Sequence, residues 1–274
     1  MKEYTAASLF VREWGSRDAP AVLYWDGLGG CGLHANEIAP VLSERFGLRV
    51  LAPDAPGHGR SPSLPPEGYL PSRLAELAAA LLSELGVDRA AFVGFSWGGQ
   101  VGCSFAAHFP ERTRALVLID GGYFRPPEPG TLEACIDQAR AEVEEDSFAS
   151  WDAFFAYERE ALRRWTPAVE EAHRATMREE GGRVVPILSV ESLGAIIHGN
   201  RREPASGTYP AIAAAGIPVL LVTYRVNEAV ERFRSALPEA RVELIEDGIH
   251  DLVSFAPDEV AELAGAFMSA QPPP

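Results

Sequence analysis

Six short apolar runs, at residues 21–25, 48–52, 90–95, 115–119, 217–222 and 241–245, alternate along the chain with longer stretches of helical periodicity. Runs that are apolar without in-and-out alternation suit strands buried on both faces, as in a parallel sheet with helices on each side. Between two of them Leu74, Leu77, Ala78, Leu81, Leu82 and Leu85 recur at helical spacing, and Gly86 stands where a C-terminal stop belongs. The pattern predicts an α/β fold built on a doubly wound, mostly parallel sheet.

The rhythm breaks after Tyr123. From about Phe124 to Gly207 the sequence offers no convincing strand. Helical stretches are expected near 131–146, 150–163, 168–180 and 187–198. Pro126-Pro127-Glu128-Pro129-Gly130 and residues 201–207 are polar and turn-forming, and mark the edges of an insert. The expected organisation is a core of residues 1–122 and 208–274, interrupted by a helical subdomain of residues 123–207. The three terminal prolines, Pro272 to Pro274, read as a disordered tail.

Composition narrows the function. The chain has 39 acidic and 24 basic residues, a formal net charge of −15, and its basic set is 23 Arg and one Lys, Lys2. Such a balance repels phosphate backbones and anionic lipid, so neither nucleic acid nor a membrane surface is an expected partner. No apolar run is long enough for a signal peptide or a membrane span, which reads as a cytoplasmic protein. Cys31, Cys103 and Cys135 lack CxxC spacing and read as small buried hydrophobes. No Walker lysine, no G-x-G-x-x-G after the first strand and no grouped metal ligands are visible, so no cofactor and no metal is expected.

The chemistry concentrates in Gly94-Phe95-Ser96-Trp97-Gly98-Gly99, which follows a predicted strand and opens a predicted helix. A strand-to-helix turn this tight excludes side chains at its flanks, explaining Gly94 and Gly98, and lifts the Ser96 hydroxyl above the sheet. With this elbow, the loop Trp25-Asp26-Gly27-Leu28-Gly29-Gly30 and the turn Asp54-Ala55-Pro56-Gly57-His58-Gly59-Arg60-Ser61, the chain resembles α/β-hydrolase-fold serine hydrolases with a helical cap, over nearly its whole length. The resemblance implies Ser96 as nucleophile and an oxyanion hole made by the main-chain N–H groups of Leu28 and Trp97. Family members usually begin the first loop with His-Gly. Asp26 is a departure that leaves the backbone donor in place.

The same resemblance puts the general base in a loop after the last strand, where Asp247-Gly248-Ile249-His250-Asp251-Leu252 offers His250. An imidazole is required because a serine hydroxyl is a weak nucleophile at neutral pH. His58 is expected to brace its turn. His34, His108, His173 and His198 fall in helical patterns and read as structural, with His198 the one that would face a pocket.

The acid is ambiguous. Many relatives carry Asp after the strand equivalent to 217–222, but here the text is Thr223-Tyr224-Arg225-Val226-Asn227-Glu228. Asn227 cannot carry the charge that stabilises an imidazolium, and Glu228 serves only if the loop shifts by one residue. Asp120, in Asp120-Gly121-Gly122 after the strand at 115–119, is the preferred acid, with Glu228 the alternative. A third alternative is neither.

Phe124, Phe148, Trp151, Phe154, Phe155, Tyr157 and Trp165 read mainly as the insert's own core, and with Trp97 and Leu28 they predict an apolar, uncharged pocket of modest size. The expected partner is a small, largely apolar carboxylic ester. A serine at the elbow argues against the haloalkane dehalogenases and epoxide hydrolases of this fold, which use Asp. Carbon-carbon bond hydrolases, thioesterases and cofactor-free haloperoxidase-like members remain alternatives, as does a non-catalytic ligand-binding protein.

Overall fold

The chain enters its sheet as an antiparallel hairpin, β1 (Lys2–Ala6) and β2 (Leu9–Trp14), turned by Ala7 and Ser8 at positive φ. The computed structural model describes residues 1–124 and 130–271. The six apolar runs form the six parallel strands β3 (Ala21–Trp25), β4 (Arg49–Pro53), β5 (Ala90–Phe95), β6 (Thr113–Ile119), β9 (Val219–Thr223) and β10 (Arg241–Leu244). Two further strands, β7 (Met177–Glu180) and β8 (Arg183–Pro186), pair by themselves outside this sheet. The main sheet runs β1-β2-β4-β3-β5-β6-β9-β10, and β2 meets β4 antiparallel.

The helices in chain order are α1 (Ile38–Glu44), α2 (Pro71–Glu84), α3 (Trp97–His108), α4 (Leu132–Glu145), α5 (Trp151–Leu162), α6 (Pro167–Arg174) and α7 (Val190–Arg202). After these come α8 (Tyr209–Ala214), α9 (Glu228–Ala236), α10 (Leu252–Phe255) and α11 (Pro257–Ser269). Successive residues of one strand feed opposite cores. Leu23, Trp25, Phe92, Leu116 and Leu118 pack with α2, α3, α8 and α9, whereas Val22, Tyr24, Ala91, Val93 and Val117 pack with α1, α10 and α11. Both faces being covered is why these runs do not alternate.

Strand β2 carries Arg12 and Glu13, both buried, and so does not read as an apolar run. The fold pairs them across the sheet: Arg12 donates to Asp54 (2.6 Å) and Arg49 donates to Glu13 (3.0 Å). Glu13 also accepts from Tyr4 (2.6 Å). Burial alone would raise its pKa, but those two donors and the Arg49 charge outweigh it and hold the carboxyl below its usual range.

The segment between β6 and β9 corrects the expectation that it holds no strand. Residues 168–180 are not one helix: α6 stops at Arg174 and the chain continues into the β7–β8 hairpin. The turn is Gly181-Gly182, both at positive φ (59° and 78°), the two-residue connection that matches strand twist. Against this hairpin Phe154, Phe155, Met177 and Val184 form a small separate core with Phe148, Trp151 and Trp165. Helix α7 runs through Arg202, so the turn expected at 201–207 starts later, with a short 3-10 turn at Ala205–Gly207. The turn read at residues 126–130 lies, up to Pro129, outside the described residues, as does the tail at 272–274. Among the described residues no helix is long and apolar enough to cross a membrane.

Candidate active site

Ser96 sits between β5 and α3 with φ 49° and ψ −114°, a sparsely populated conformation for a residue with a side chain. Close backbone approach enforces it. A Cβ on Gly94 would lie 2.3 Å from the Gly98 carbonyl oxygen, and one on Gly98 would lie 2.0 Å from that of Trp25. The Ser96 N–H donates to Ile119 O (2.9 Å), tying the turn to the end of β6.

Immediately beyond Ile119, Asp120 is fully buried and at φ 39°. Its Oδ1 accepts from Tyr123 (2.5 Å) and from Thr223 (2.7 Å), and its Oδ2 faces His250 Nδ1 at 2.5 Å. Burial first, then the bond to Asp120, push the Tyr123 hydroxyl far above its ordinary pKa, so it remains a donor. His250 Nε2 lies 2.8 Å from Ser96 Oγ. A carboxylate only accepts, so Nδ1 carries the proton towards Asp120 and Nε2 is left to accept from the serine hydroxyl. The imidazole is flanked by Phe95 and Phe124, with ring centroids 5.4 and 5.9 Å away.

The structure therefore brings together Ser96, Asp120 and His250, and it does not bring Glu228 to them. Glu228 is the first residue of α9, 89% exposed at its side chain and paired with Arg232 one turn along. Asn227 is the cap of that helix, its Oδ1 accepting from the N–H groups of Ala229 (3.0 Å) and Val230 (3.1 Å). Leu28 lies on the cavity wall in the loop after β3. Trp97 opens α3, so its N–H has no carbonyl four residues back within the helix. The Trp97 indole stacks on His58 at 5.2 Å, and His58 Nδ1 lies 2.9 Å from Pro56 O, bracing the turn as expected.

A cavity of about 350 Å³ opens over Ser96 and His250. One wall is apolar, with Phe148, Phe154, Leu162 and Met177 from the insert. The rest of the lining overturns the expectation of an uncharged pocket: it includes Asp26, His34, Asp146, Glu158, His173 and Asp251, and among the described lining residues there is no Arg or Lys. Cys31 also lines it, but burial, then Asp54 and Asp26, push its thiol up to about 12, so it is no rival nucleophile.

His34 and His173, expected to be structural, both line this cavity. Asp26 accepts from the Tyr24 hydroxyl (2.7 Å) and faces His34 Nδ1 (3.0 Å), while His34 Nε2 points at Asp251 (3.3 Å) and Ser254 Oγ (2.8 Å). Desolvation opposes the charged imidazole, but Asp26 and Asp251 prevail and hold His34 well above its ordinary pKa. His173, on α6, has Nδ1 3.2 Å from Glu158. No spacing in the sequence links residues 34, 173 and 251. Only the adjacency of Asp251 to His250 was a local hint. His198 is not among the lining residues.

The comparisons with known proteins agree with this architecture. A family described as alpha/beta hydrolase fold matches residues 20–154. RutD of Pseudomonas syringae pv. syringae, whose name provisionally assigns it carbamate hydrolysis, is 27% identical over 93% of this chain and 96% of its own. A 2-hydroxy-6-oxononadienedioate/2-hydroxy-6-oxononatrienedioate hydrolase of Burkholderia vietnamiensis is 36% identical over 40% of this chain and 38% of its own. The solved structure of E-2-(acetamidomethylene)succinate hydrolase superposes with a TM-score of 0.78 at 24% identity, covering 96% of this chain and 95% of its own. With its mostly parallel sheet, its serine at the β5–α3 turn and these likenesses, the chain has the α/β-hydrolase fold.

Proposed function

We propose that this protein is a serine hydrolase acting on a small carboxylic ester, with Ser96 as nucleophile, His250 as general base and Asp120 as the acid that orients it. The observation that carries the reading is the hydrogen-bonded chain from Asp120 through His250 to Ser96 Oγ. Ser96 gives its proton to His250 Nε2 as Oγ attacks the carbonyl carbon, and the resulting imidazolium is stabilised by Asp120. The tetrahedral oxyanion rests on the N–H groups of Leu28 and Trp97; losing one such donor typically costs about 2.7–4 kcal/mol of barrier. Collapse expels the alcohol with the proton from His250, and a water deprotonated by His250 then releases the acyl group.

Residues 123–207 serve as the cap that chooses the substrate, offering the acyl portion the wall of Phe148, Phe154, Leu162 and Met177. Two of the hydrolases this chain resembles carry dicarboxylates in their names, the dienedioate and the succinate. A described lining with four carboxylates and no Arg or Lys opposes a dianion, so the substrate here is neutral or cationic. Labelling by a fluorophosphonate probe and turnover of short p-nitrophenyl esters, both abolished in Ser96→Ala, are the expected results. An unlabelled and inactive wild type would instead leave a ligand-binding protein.

A further inference from the structure

We propose that His34, His173 and Asp251 form a binding site for one divalent first-row transition-metal ion, of the zinc class, on the polar wall of the Ser96 cavity. The three side chains come from the 3-10 turn after β3, from α6 in the insert and from the loop before α10. One donor atom from each lies within 4.8 Å of the others, and Asp251 Oδ2 is 3.3 Å from His34 Nε2 and 3.9 Å from His173 Nε2. Ligands about 2.0–2.2 Å from a common tetrahedral ion stand roughly 3.4 Å apart, so shifts within an ångström bring the set onto one ion.

The surroundings are those of metal ligands. Each imidazole turns its other nitrogen to a carboxylate, His34 Nδ1 to Asp26 at 3.0 Å and His173 Nδ1 to Glu158 at 3.2 Å, the contact that orients and strengthens a ligating histidine. The two rings meet edge to face, with centroids 5.6 Å apart. His173 Nε2 is buried with no hydrogen-bond partner among the described residues, a costly state that an ion removes. Asp251 Oδ1 is already taken by the Ser254 N–H (2.9 Å), which leaves Oδ2 turned towards both imidazoles.

Charge points the same way. Asp26, Glu158 and Asp251 surround two imidazoles, and the described lining of the cavity has no Arg or Lys. Two nitrogens and one carboxylate oxygen suit zinc, manganese or iron over calcium or magnesium. Three protein ligands leave a coordination position open on the cavity side, where a polar group of a bound molecule can take it. The ion would also tie α6 of the insert to the core, as the Arg164–Glu37 pair ties the stretch between α5 and α6.

The proposal is independent of the hydrolase reading, because its test reads binding. The full chain is stripped with a chelator, freed of it, and titrated calorimetrically with Zn²⁺; Co²⁺ is followed by visible absorption. One equivalent of Zn²⁺, a raised melting temperature and Co²⁺ ligand-field bands are expected in the wild type. His173→Ala and Asp251→Asn should each weaken Zn²⁺ binding at least 100-fold, and Glu158→Gln about 10-fold. Asn at 251 can still cap α10, which separates loss of the ligand from loss of the fold. Absence of saturable binding in the wild type, or unchanged affinity in both ligand variants, overturns the site.

Discussion

Two loops at the same edge of the sheet, one after β6 and one after β9, end strands that are direct neighbours, with Ile119 opposite Val222. They treat their acidic residues in opposite ways. The first buries Asp120 completely and surrounds it with Tyr123, Thr223 and His250. The second, where the sequence resemblance led to the expectation of an acid, has Asn227, spends that side chain on a helix cap, and leaves Glu228 in solvent beside Arg232. A buried carboxylate is tolerated only when its oxygens are satisfied, so three converging partners around a side chain with no exposure mark a site built for that charge. An exposed i, i+4 pair on a helix is worth a few tenths of a kcal/mol and marks nothing. Strand β9 itself still reaches the first loop, however: its last residue, Thr223, delivers a hydroxyl to Asp120.

The largest test of this contrast exchanges one acid on each loop. Asp120→Asn should lower turnover about 10⁴-fold, the scale seen when an orienting aspartate becomes an amide and the base takes the wrong tautomer. Glu228→Gln should stay within about twofold. Steady-state kinetics on one p-nitrophenyl ester decide it, and the reverse ranking would mean that the β9 loop rearranges to supply the acid in solution.

A smaller effect tests whether the end of β9 supports the loop after β6. Thr223→Val keeps the shape and removes one donor from Asp120 Oδ1. Hydrogen bonds to charged groups are worth about 1.5–3 kcal/mol, so urea unfolding should show a loss of that order. In the Asp120→Asn background the loss should shrink, because the partner charge is gone. Equal losses in both backgrounds would show that Thr223 acts by packing alone.

How much of this was legible follows from what is local. The six parallel strands were readable because covering by helices on both faces demands runs such as residues 115–119, apolar throughout. The elbow was readable because its glycines and Ser96 lie within one short stretch, residues 94–99. Strand β2 was not, since the burial of Arg12 and Glu13 leans on Asp54 and Arg49, residues far along the chain. The β7–β8 hairpin did carry a signal in Gly181-Gly182, outweighed by the helical look of its flanks. The charged wall was beyond reach for a plainer reason. Asp26, His34, Glu158, His173 and Asp251 are scattered over more than two hundred residues, and each alone is an ordinary surface or capping residue.

The smallest expected effect concerns Asn227, and it separates the two ways of reading that position. If Asn227 stands in the β9 loop as the cap of α9, its worth is that of a cap: Asn227→Ala should cost about 1 kcal/mol of stability, and turnover should not change. Asn227→Asp should keep that stability, because a carboxylate caps as well as an amide and favours the positive end of the helix. The aspartate variant also places an acid in the β9 loop, so combining it with Asp120→Asn asks whether the site accepts its acid from either strand end. With Asn227 Oδ1 held by two N–H groups of α9, the added charge should be engaged there and the double variant should remain as inactive as Asp120→Asn alone. Recovery of even a hundredfold would show that the β9 loop can turn its residue 227 from the helix to His250, and that the difference between the two loops is one of occupancy, not of backbone geometry.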